Sequence, residues 1–110
     1  MNKEINFIIR PRYRAIDVKA GMPEIHFENK EFERRFYVEG NNEDVLLQLL
    51  TSTLQEKLMR MKGVSVIKFW LNSFQLSRSN RLRNEEEYEQ YIELTKSFYD
   101  RMRDLRIISF

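Results

Sequence analysis

From Glu31 to Lys62 the chain reads EFERRFYVEGNNEDVLLQLLTSTLQEKLMRMK, and the spacing of its apolar residues changes along the way. Phe32, Phe36 and Val38 fall on one face of an extended segment, which Gly40-Asn41-Asn42 then breaks. Asn41 or Asn42 suits the cap of a helix whose first turn carries Glu43 and Asp44, where negative charge meets the positive end of the dipole. Leucines follow at helical spacing. A second helix start is expected near Thr51, because Ser52/Gln55 and Thr53/Glu56 both fit the capping-box pattern. Leu54, Leu58 and Met61 then form a narrow apolar stripe, and Gly63 ends it.

The flanking segments extend this pattern. Ile5, Phe7 and Ile9 alternate onto one side of a strand before Pro11, which suits an edge strand or a strand end because proline donates nothing to a ladder. Ala20-Gly21-Met22-Pro23 is a turn, and EIHFE and FERRFYVE read as short extended segments, with NKEFERR open to a helical turn instead. VSVIKFWL and FQLSRS form a hairpin if Asn72-Ser73 closes it, which sets Leu71 opposite Phe74, Phe69 opposite Leu76 and Ile67 opposite Arg78. That register collects the apolar residues on one face and leaves Val66, Lys68, Trp70, Gln75, Ser77 and Ser79 on the other. Asn84 caps a last helix that opens with Glu85, Glu86 and Glu87. Its buried face is read as Tyr88, Tyr91/Ile92, Thr95, Phe98/Tyr99, Met102 and Leu105. The chain closes on RIISF, where Ile107, Ile108 and Phe110 are too apolar for a solvated tail and are expected to dock, on this domain or on another copy.

These elements predict one α+β domain over residues 1–110. It has an antiparallel sheet that includes a hairpin in the C-terminal half, a central helix or broken helix pair, and a long C-terminal helix. Length agrees: 110 residues can enclose one real core but not two. An apolar content of 42% excludes a wholly disordered chain, and 33% charged residues make an ionic surface. No apolar run has the length a membrane helix needs, and the N-terminus lacks the pattern of a signal peptide. The absence of cysteine removes disulfides and zinc-thiolate sites, and a cytoplasmic location is the expectation.

Chemistry is sparse. His26, the single histidine, alternates away from Ile25 and Phe27 and has no ligand partner adjacent in sequence, so it reads as a surface histidine. Glu85–Glu87 fan around a helix start and form no calcium loop. Phosphate-cradle, nucleophile-elbow and zinc-protease motifs are all missing, and no catalytic, cofactor or metal residues are assigned. Two features could bind something. Arg10, Arg12 and Arg14 share one strand face, and with Arg78, Arg81 and Arg83 they could track phosphates; the plainer reading is that they guard an edge strand against pairing. Trp70 is either an interface anchor or a residue buried under another element.

The segment from about Pro23 to Met61 resembles the prokaryotic galanin-like family of unknown function (domain of unknown function 3137). The likeness rests on Phe32, Phe36 and Val38, the short polar turn, Leu50-Thr51, Glu56 and Leu58, with a hairpin like that of residues 64–77 behind them. It implies the fold class and brings no catalytic or ligand residues. Members carry transmembrane helices ahead of this portion, and no such helix is read in this chain.

The function expected is therefore a protein-interaction or self-associating module without catalytic activity, acting through Trp70, the hairpin edge and the Ile107/Ile108/Phe110 tail on a protein partner or a second copy. The alternative is weak binding to nucleic acid or an anionic surface through the two arginine groups.

Overall fold

The computed structural model describes residues 5–12, 21–61, 64–70, 73–78 and 85–107. Among these residues four strands form one antiparallel sheet: β1 (Phe7–Pro11), β2 (Phe36–Gly40), β3 (Val64–Trp70) and β4 (Ser73–Arg78), in the order β2-β1-β3-β4. Four helices complete the described chain: α1 (Lys30–Arg35), α2 (Glu43–Leu49), α3 (Ser52–Arg60) and α4 (Glu85–Asp104). The architecture is α+β, as the patterning predicts. One core joins Phe7, Ile9, Val38, Ile67 and Phe69 on the sheet to Phe32, Leu46, Leu49, Leu54, Leu58, Leu94, Phe98 and Met102 on the helices. The helices therefore cover a single face of the sheet. No helix among the described residues is long and apolar enough to cross a membrane.

β1 is an interior strand, paired to β2 on one side and β3 on the other, and Pro11 sits at its end where no ladder donor is needed. The edge-strand reading of this arginine-bearing segment is thus corrected. Around Phe32 the helical alternative for NKEFERR holds and the extended one is corrected, since Lys30–Arg35 is helical and the strand begins only at Phe36. Asn29 caps α1 by accepting from Phe32 N at 3.1 Å, Glu31 and Glu33 lie in its first turn, and Arg34 and Arg35 close it. Phe32 still reaches the core, stacked on Phe36 with ring centres 5.1 Å apart and edge-on to Phe27 at 5.3 Å. EIHFE contributes only an isolated bridge, Glu24 to Glu39.

Of the two asparagines, Asn42 caps α2, accepting from Val45 N at 3.1 Å. Thr51 caps α3, accepting from Leu54 N at 3.2 Å, so neither Ser52/Gln55 nor Thr53/Glu56 acts as a capping box. Gln55 points inward instead and donates through Nε2 to the Leu50 carbonyl at 2.8 Å. Leu54, Leu58 and Met61 form the buried stripe. Gly63, Leu71, Asn72 and Asn84 lie outside the described residues.

The hairpin pairs Phe69 with Phe74, Ile67 with Leu76 and Trp70 with Ser73, one turn position earlier than a closure at Asn72-Ser73 requires. Moving the turn by one residue changes each pairing by two, so every side chain keeps its face. Ile67 and Phe69 are fully buried, whereas Phe74 and Leu76, on the outer strand, are only half-buried. In α4 the buried stripe is Leu94, Phe98 and Met102, while Tyr88 and Ile92 remain 53% and 41% exposed. The helix is about 30 Å long at 1.5 Å per residue, and its buried stripe begins only at Leu94.

The end of α4 is closed by a Schellman motif. Ile107 N donates to the Met102 carbonyl at 2.8 Å and Arg106 N to that of Arg103 at 3.0 Å, with Arg106 in the left-handed region at φ 59°.

Candidate functional site

Strand alternation puts Ile8, Arg10, Tyr37, Glu39, Lys68, Trp70 and Gln75 on the sheet face opposite the helices. Its two halves differ. On β1 and β2 the polar residues are closed off from solvent. The Arg10 guanidinium lies 4.3 Å from the centre of the Tyr37 ring, and Tyr37 donates to Glu39 Oε2 at 3.2 Å. Arg10, Tyr37 and Glu39 are all buried, Glu39 completely. Burial, then the charge and hydrogen bond of Glu39, push the Tyr37 hydroxyl above its ordinary value; Glu24 adds to this and Arg10 works against it. On β3 and β4 the face is open. Lys68 and Trp70 are half-exposed, with the Lys68 ammonium 5.4 Å from the Trp70 ring, and Ser73 and Gln75 are exposed.

At the end of β1, Arg12 gathers a polar cluster that the sequence does not announce. Its Nη2 meets Glu24 Oε2 at 2.7 Å and its Nε donates to the Glu33 carbonyl at 3.0 Å. Glu33 also accepts from Phe27 N at 2.5 Å and lies 3.3 Å from His26 Nδ1. His26 is solvent-facing, as its alternation predicts, but it is not isolated. Glu24, His26 and Glu33 each offer a ligand atom within 4.8 Å of the others. A guanidinium already holds Glu24 and sits 3.8 Å from Glu33, so Arg12 supplies the positive charge the two carboxylates need.

Of the arginines read as an anionic-ligand group, Arg10 is therefore stacked and buried, and Arg12 is committed to Glu24 and Glu33. Arg14, Arg81 and Arg83 and the side chain of Arg78 lie outside the described residues. Of the interaction residues, Trp70 is on the open half-face. Ile107 is half-buried and packs on this domain's own core, which is the docking within one chain that the sequence left open. Ile108 and Phe110 lie outside the described residues.

The two borders of the sheet also differ. The outer edge of β2 is engaged, with Ile25 N donating to the Val38 carbonyl at 2.8 Å and Gly40 N to that of Pro23 at 3.1 Å. Among the described residues β4 pairs with β3 alone. Comparison of this chain with protein-family models, curated proteins and solved structures returns no match.

Proposed function

We propose that this domain is a binding module rather than an enzyme, and that it engages a protein surface, in the first instance a second copy of itself, through Trp70 and the outer strand β4. The observation that carries this reading is the position of Trp70, which is half-exposed on the helix-free face, on the strand next to the sheet's less engaged border. Tryptophan contributes more to interfaces per residue than most side chains, because it buries a large rigid area at little entropic cost. An outer strand with free backbone groups can take an added strand, which offers a main-chain component to the same contact. The internal commitments of Arg10 and Arg12 favour this reading over phosphate tracking.

Because Trp70 is the single tryptophan, its emission reports this surface directly. The full chain is expected to sediment faster as concentration rises, with a matching blue shift of the emission. Trp70→Ala should remain folded and stay monomeric. A chain that is monomeric throughout, with unchanged emission, would overturn the self-association reading.

A further inference from the structure

We draw no further inference here: the strongest candidate, the Glu24–His26–Glu33 side-chain cluster where the end of β1 meets α1, already has the charge of its two carboxylates answered by Arg12, and nothing else in the structure points to an ion there.

Discussion

Arg10 and Tyr37 are direct cross-strand partners in the β1–β2 ladder, and the guanidinium sits 4.3 Å from the ring centre with both side chains buried. A planar guanidinium stacks where an ammonium cannot, so this contact depends on arginine specifically. Arg10→Ala is expected to destabilise the domain by about 1–2 kcal/mol in urea unfolding, and Arg10→Lys to recover only part of it. Wild-type stability in Arg10→Ala would show that the stack contributes nothing.

The Tyr37 hydroxyl carries a pH signature. Its ionisation is held above the ordinary tyrosine value by burial and by Glu39. Below about pH 10 both folded and unfolded chains keep this proton; above it the unfolded chain releases the proton first, so stability falls as pH rises. Tyr37→Phe lacks that proton. The loss of urea resistance between about pH 8 and about pH 10.5 should therefore be smaller in the variant than in the parent. Equal losses would show that Tyr37 titrates alike in both states.

Phe69 and Phe74 face each other across the hairpin, yet they differ in depth, because β3 has a strand on each side and β4, among the described residues, has one on a single side. Phe69→Ala should cost about 3–5 kcal/mol and Phe74→Ala about 1–2 kcal/mol. A Phe74 variant as damaging as the Phe69 variant would mean that the outer strand is buried more deeply than its half-exposure shows.

The Schellman closure of α4 places Arg106, a residue with a Cβ, at φ 59°. Glycine takes that conformation without steric cost, so Arg106→Gly should raise stability by about 0.5–1 kcal/mol. Ile107→Ala should lower it by about 1 kcal/mol, since Ile107 packs on the core of its own domain. Thermal unfolding at two protein concentrations separates this from a dimer contact. An effect of Ile107→Ala that appears only at high concentration would place the side chain between copies.

Local features of this chain were legible in sequence because they depend on neighbours a few residues away. Asn42 is followed by two acids and then by leucines at helical spacing, and the same residues cap and bury α2. The hairpin kept its apolar face although its turn moved by one residue, because strand parity survives a shift of two in the pairing. What the sequence left open depends on contacts distant in the chain. Nothing near Phe7 or Pro11 says that β1 has a strand on each side, and that placement alone turns Arg10 from a guard of an edge into a buried stack on Tyr37. In α4, Leu94 and Ile92 are two residues apart and lie on nearly opposite sides of the helix, and the way the helix is turned toward the core buries the first and exposes the second. Glu24, His26 and Glu33 meet around Arg12 because a turn of helix and a strand end converge there. Lys57 and Arg101 share a groove only because α3 packs against α4. Periodicity selects the face a side chain takes; long-range pairing selects what stands opposite it.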